Sequence, residues 1–182
     1  MADEALDVDD VVVLLLGAPS DSPRLRDRIE GITRLEKMIF LLEHEGDVEV
    51  PVDADFVAHN FGPFSARIYQ AVDMLAAAQL VEDSANLSRD DDDAWETENL
   101  IYNVDDVADR YATRNFALTD RGRRYYQALI SELPPGTEQR LGAFKGRFGK
   151  MPLRQLVRYV YEKPEYKQYL TRSLIKDEIL GG

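Results

Sequence analysis

Asn60-Phe61-Gly62-Pro63-Phe64-Ser65 is the stretch on which the reading of the fold turns. Glycine reaches backbone angles closed to other residues, and proline suits the first turn of a helix, where its missing N–H has no partner to lose. Beyond this turn Phe64, Ile68, Ala71, Val72 and Leu75 recur at helical spacing. Ala66, Tyr69, Gln70, Asp73 and Ala77 take the opposite face. The pattern predicts a helix over Pro63–Gln79 that a tight turn aims outward.

Working upstream, Thr33-Arg34-Leu35-Glu36 has the form of a capping box, in which each side chain can satisfy the other end's free backbone amide. Leu35, Met38, Ile39 and Leu42 then form an apolar stripe, which predicts a helix over Thr33–Glu45. The two helices are expected to pack together through Leu35, Ile39, Leu42, Ile68, Val72 and Leu75. Leu6–Leu16 reads as an earlier helix, stopped by Gly17 and Pro19. Pro23–Gly31 reads as an Arg-rich connector, a loop or a short helical turn. Val48–Val52 alternates weakly, and Asp53 or Asp55 is placed to cap a short helix through Phe56, Val57 and His59.

Downstream, Leu80-Val81-Glu82 begins a strand that the acidic run Asp90–Asp93, Glu96 and Glu98 interrupts. Leu100–Val104 and Arg114–Leu118 read as strands, the second leading into a helix at Thr119-Asp120-Arg121-Gly122. That helix runs through Tyr125, Tyr126, Leu129 and Ile130 and stops at Pro134-Pro135-Gly136. The tail is helical. One helix carries Leu141, Phe144 and Phe148, and another starts at Pro152 and carries Leu153, Leu156, Val157, Val160 and Tyr161 until Pro164 breaks it. A short helix around Leu174, Ile175 and Ile179 finishes it. The expected fold is mainly α with a small β-hairpin, in the order of a winged helix. Residues 1–133 would form that core, with an acidic insertion at about 83–98, and residues 134–182 a helical extension.

Composition narrows the chemistry. The chain has 182 residues and no cysteine, which removes disulfides, thiolate catalysis and thiolate metal sites. His44 and His59 are the two histidines, too few for a histidine-rich zinc site. The acidic run lacks the central glycine and terminal Glu of an EF-hand loop. Gly146-Arg147-Phe148-Gly149-Lys150 spaces its glycines too closely for a P-loop, and there is no Gly-x-Ser-x-Gly or dinucleotide fingerprint. His59 reads as a packed or capping residue. No enzymatic activity, catalytic residue, cofactor or metal is expected. The longest apolar run, Val11–Leu16, is six residues, against the roughly 20 that a bilayer requires. Acidic residues precede it, the wrong sign for a signal peptide, so a cytoplasmic location without membrane insertion is expected.

The net charge is −12, with 20 Asp against 14 Glu and 16 Arg against 6 Lys. That bias fits a halophilic surface, which stays hydrated where the Debye length falls to about 3 Å. It also fits a protein that binds basic partners. Residues 1–118 carry −18 and residues 119–182 carry +6, so the last third is locally basic.

Three stretches together bear a family likeness. Ile32 through Leu42 resembles an opening helix, Phe61-Gly62-Pro63-Phe64-Ser65 with Ile68, Leu75 and Leu80-Val81 a turn, helix and strand, and Phe116 through Gly122 a strand-to-helix step. In that order they resemble the YwgA-like, SocA/Panacea-related set of small prokaryotic winged-helix-like proteins. The likeness spans roughly residues 30–135, and Val160-Tyr161-Glu162-Lys163-Pro164-Glu165-Tyr166 extends it into the tail. It implies the fold and a regulatory, antitoxin-like role. The acidic insertion departs from the family pattern.

Two binding roles follow as expectations. For double-stranded DNA, Ser65, Tyr69 and Gln70 would reach base edges, with Arg67 beside them. Arg114 on the wing strand and Arg121, Arg123 and Arg124 on the next helix would meet phosphates. The alternative is a protein-interaction adaptor that binds a protein partner or a second copy of itself, with Ala66, Ala76, Ala77 and Ala78 letting a helix approach closely. A basic patch continuous with the third helix would favour DNA, and an exposed apolar face there a protein.

If the acidity is salt adaptation, the midpoint of thermal unfolding should rise substantially between low salt and molar KCl. Circular-dichroism melts across that range test it, and a flat or falling midpoint would tie the acidity to function instead.

Overall fold

The computed structural model describes residues 4–45, 48, 50–59, 62–84 and 114–181. Its first helix, α1 (Val8–Gly17), opens with Asp9 and Asp10 against the positive end of the helix dipole. Every residue from Val11 to Leu16 is at most 1% exposed. A helix that is apolar all round must be surrounded by protein, and the remaining elements do that. They are β1 (Arg28–Glu30), α2 (Ile32–Glu45), β2 (Val57–His59), β3 (Gly62–Phe64), α3 (Ala66–Ala77), β4 (Val81–Asp83) and β5 (Asn115–Leu118). Then come α4 (Asp120–Glu132), α5 (Thr137–Gly149), α6 (Leu153–Glu162), a 3-10 segment (Pro164–Tyr169) and α7 (Lys176–Leu180). Helices α3 and α4 and strand β5 supply most of the contacts to α1, with α2, α5 and β1 closing around it.

The molecule is mainly helical with a small antiparallel sheet in the order β1-β5-β4. Ile29 pairs with Phe116, Phe116 with Asp83, and Leu118 with Val81. Residues paired across a ladder share a face, so these side chains point into the core. The other face carries Arg28, Ala117 and Glu82, also in one row. The order α1, β1, α2, the β2–β3 ribbon, α3, β4 and β5, with β1 joined to β5, keeps the expected sequence of helices and hairpin and adds β1 and the ribbon to it. Among the described residues no helix is long and apolar enough to cross a membrane.

Several local expectations are corrected. Arg28–Glu30 is a strand, where the sequence read as connector, and the Gly31 amide donates to the Arg114 carbonyl beside it. Helix α2 starts at Ile32, so Thr33 lies within its first turn. The Glu36 carboxylate accepts from the Ser65 amide, so Thr33 and Glu36 do not mark the helix start. Val57–His59 is a strand and not a short helix, because it pairs with Gly62–Phe64. Pro63 therefore sits in a two-stranded ribbon, and α3 begins at Ala66. Proline can occupy such an edge because it has no N–H to leave unpaired. The expected strand at Leu100–Val104 and the acidic run at Asp90–Glu98 lie outside the described residues.

Leu35, Ile39, Leu42, Ile68, Val72 and Leu75 are all buried in one core, as their stripes predict. Their mutual packing is corrected: α3 rests chiefly on α1, while α2 meets α5, α6 and β3. The tail joins the same core through Leu141, Phe144, Phe148, Leu156, Val157 and Val160. Residue 134 thus separates elements without separating cores. Helix α4 lies very close to its neighbours. A Cβ on Gly122 would stand 2.0 Å from the Leu80 carbonyl oxygen, and one on Gly17 2.3 Å from the Tyr126 ring. Thr119 caps α4 by accepting from the Gly122 amide at 2.9 Å, and its hydroxyl donates to the Gln79 carbonyl at 2.7 Å.

The end of α1 is held by a charged group within the core. Lys145 of α5 is fully buried, and its ammonium donates to the carbonyls of Leu16 at 2.6 Å and Ala18 at 3.1 Å. Helix ends leave such carbonyls without partners inside the helix. Burial pushes the Lys145 amine down from 10.5 to about 8, with Asp27 opposing the shift. The folded protein therefore releases this proton before the unfolded chain does. Between pH 8 and 10.5 the unfolded state holds more protons, so stability gains with rising pH. The gap in unfolding free energy between wild type and Lys145→Met should move in favour of wild type across that window, by up to about 3 kcal/mol. Urea denaturation of both proteins at stepped pH values measures it, and a gap independent of pH would refute the assignment.

Candidate interaction surface

Three of the side chains expected to meet DNA are inside the protein. The Ser65 hydroxyl donates to the Ala54 carbonyl at 2.5 Å and its amide donates to Glu36. Glu36 is buried with Lys37, whose ammonium lies 3.0 Å from the carboxylate and donates to the Pro63 carbonyl at 2.8 Å. This pair, which the sequence left unremarked, seats the β2–β3 hairpin and the start of α3 on α2. Tyr69 is buried too, with its ring 5.4 Å from that of Phe64 in the hairpin. The hairpin widens the covered side of α3 by one position beyond the apolar stripe.

Arg114 is 3% exposed. Its guanidinium donates to Asp83 at 2.6 Å and to Asp73 at 3.4 Å, and stands 5.3 Å from the Phe116 ring centre. Strand alternation accounts for this. Arg114, Phe116 and Leu118 are two residues apart, so the face that buries the phenylalanine and leucine also takes the arginine inward. That period was present in the sequence as a signal.

The exposed face of α3 is left with Ala66, Arg67, Gln70, Asp73, Met74 and Ala77. Met74 is 60% exposed, unusual for so apolar a side chain at the middle of a helix. Beside this face runs a groove of about 470 Å³, bordered by Leu6, Asp7 and Asp9 on one side and by Asp53 on another. A backbone bond from the Leu6 amide to the Pro51 carbonyl, 2.9 Å long, sets these acids next to each other. Burial raises the Asp9 carboxyl, and Asp10 and Asp7 add to the rise. Arg67 directs its guanidinium back to the Asp53 carbonyl at 3.3 Å. The start of α3 is therefore bordered by negative charge.

The other arginines gather at the opposite end of α3. Arg121 and Arg123 join Arg26 and Arg28 around an open cleft between the outer sheet face and the start of α4. Arg123 lies 3.1 Å from Asp27 and 3.8 Å from Asp120. Arg124 is exposed on α4 outside the cleft. The fold thus brings Arg67 and Gln70 together, and separately Arg121 and Arg123, but does not join them into one basic face. His59 stacks on Phe64, with ring centres 4.6 Å apart, a packing role. Among the described residues no group of three or more His, Asp or Glu side chains is arranged to hold a metal ion. No protein-family model, curated protein or solved structure matches this chain.

Because Arg114 answers two carboxylates within the fold, Arg114→Ala should lower the unfolding free energy by about 3 kcal/mol or more, as for a broken buried ion pair. Asp73→Asn, at a side chain 51% exposed, should cost less than about 1 kcal/mol. Chemical denaturation of the two variants tests this, and an Arg114→Ala protein as stable as wild type would overturn the structural role.

Proposed function

We propose that this protein is a non-enzymatic interaction module of winged-helix type whose α3 face docks a basic segment of a partner protein. The observation that carries the reading is the groove beside α3: an exposed methionine among small alanines, bordered by Asp7, Asp9 and Asp53. An apolar anchor within a charged rim is the composition of a protein-binding surface. The acidic border steers a cationic partner inward and repels a phosphate backbone. Such a role is compatible with the regulatory, antitoxin-like character that the YwgA-like resemblance implies.

The DNA-binding reading loses most of its helix face. Ser65 and Tyr69 are buried, and Gln70 and Arg67 remain exposed, with Arg67 turned to the Asp53 carbonyl. DNA recognition needs base-reading groups and phosphate contacts on one continuous surface.

Asp53 and Met74 are both exposed, so Asp53→Lys and Met74→Lys should fold as wild type does, which a thermal melt checks. Tagged wild type purified from its native cells is expected to retain a basic protein that both variants release. In parallel, anisotropy with duplex DNA from upstream of the gene should show no binding that depends on Arg67 or Gln70. Retention of the same partner by both variants, or DNA binding lost in Arg67→Ala and Gln70→Ala, would overturn the proposal.

A further inference from the structure

We infer that the cleft at the start of α4 is a binding site for a phosphate-type oxyanion, carried by Arg26, Arg28 and Arg121. The cleft is open, polar and about 790 Å³ in volume, well beyond the size of one small ion. It therefore suits an anionic group on a larger molecule. In a chain of net charge −12, four arginines converge on it. Arg123 is neutralised by Asp27 and Asp120, the two acids within its reach. The guanidinium groups of Arg26, Arg28 and Arg121 have no hydrogen-bond or ion-pair partner among the described residues. Glu82 is the remaining acid that lines the cleft, so the unpaired groups sum to a positive charge.

A second observation comes from Arg28. Its Nε is shut off from solvent and has no acceptor. A buried donor left unsatisfied is costly, and a charged one more so. With no acceptor inside the fold to hold its Nε, the Arg28 guanidinium is left to the cleft that it lines, where an oxyanion would accept from it as guanidinium groups prefer. Strand pairing fixes where Arg28 stands, directly opposite Ala117, whose small side chain leaves the sheet face open. Helix α4 begins at the same cleft with Asp120 and Arg121, so its positive end adds to the field. This site lies at the far end of α3 from the acidic groove and stands independently of the protein-docking reading.

The test is a titration of full-length protein with inorganic phosphate at constant chloride, read by two-dimensional NMR and calorimetry. Resonances of Arg28, Ala117, Arg121 and Gly122 should move together. Arg28→Gln and Arg121→Gln should each weaken binding about tenfold, the loss expected for one charge-assisted hydrogen bond. Arg121 is exposed, so its variant remains informative if Arg28→Gln folds poorly. Arg124→Gln, outside the cleft, should bind as wild type does. Competition by a short DNA duplex would assign the oxyanion to a nucleic-acid backbone, and its failure to compete would assign it to a small phosphorylated ligand. Both outcomes support the cleft. Absence of any shift there, or equal weakening in Arg124→Gln, would overturn the proposal.

Discussion

A helix with apolar side chains on every side is stable only where protein surrounds it, and α1 imposes that condition on the rest of the chain. Val11 through Leu16 leave no face for solvent. Helix α3 covers one side, α4 and β5 others, and α5 reaches the C-terminal end, where Lys145 meets the carbonyls of Leu16 and Ala18. The tail is consequently part of the fold and not an appendage to it. Without α5, the end of α1 would face water with apolar side chains and unmatched carbonyls.

The burial of α1 also explains which parts of the fold were legible in the sequence. Helical stripes were, because each helix lays a regular apolar face on a common centre: Leu35, Ile39 and Leu42 on α2, and Ile68, Val72 and Leu75 on α3, are all buried. Strands β4 and β5 were expected near where they stand, but β1 and β2 were not. Arg28-Ile29-Glu30 has one inward side chain, and three residues cannot display a period. Val57–His59 exists as a strand because Gly62–Phe64 pairs with it, and a stretch of three residues carries no local mark of pairing. Pro63 was expected in the first turn of a helix and stands instead in the ribbon before it, three residues ahead of the start of α3.

The interaction surface was less legible, for two different reasons. Arg114 could have been placed by its spacing from Phe116 and Leu118, since alternation decides the face whatever the charge of the residue. The acidic groove offered no such signal. Asp7 and Asp9 stand near Asp53 because Leu6 bonds to Pro51, a contact across the chain that neither segment announces by itself. Charge that is scattered in the sequence is sorted by these contacts into two ends of α3, negative at its start and positive beyond its finish. A net charge conceals that sorting.

The ladder between β4 and β5 has a meaning for how this chain tolerates change. Asp83 stands opposite Phe116, the Ser84 amide donates to the Asn115 carbonyl at 3.1 Å, and the Asn115 amide donates to the Ser84 hydroxyl at 2.8 Å. Beneath them Arg114 grips Asp83 within the core. The two strands are thus clamped where the intervening chain leaves and returns. The register of β4 against β5 is therefore held by Asp83, Ser84, Arg114 and Asn115 themselves, and a change at any of the four acts on both strands at once.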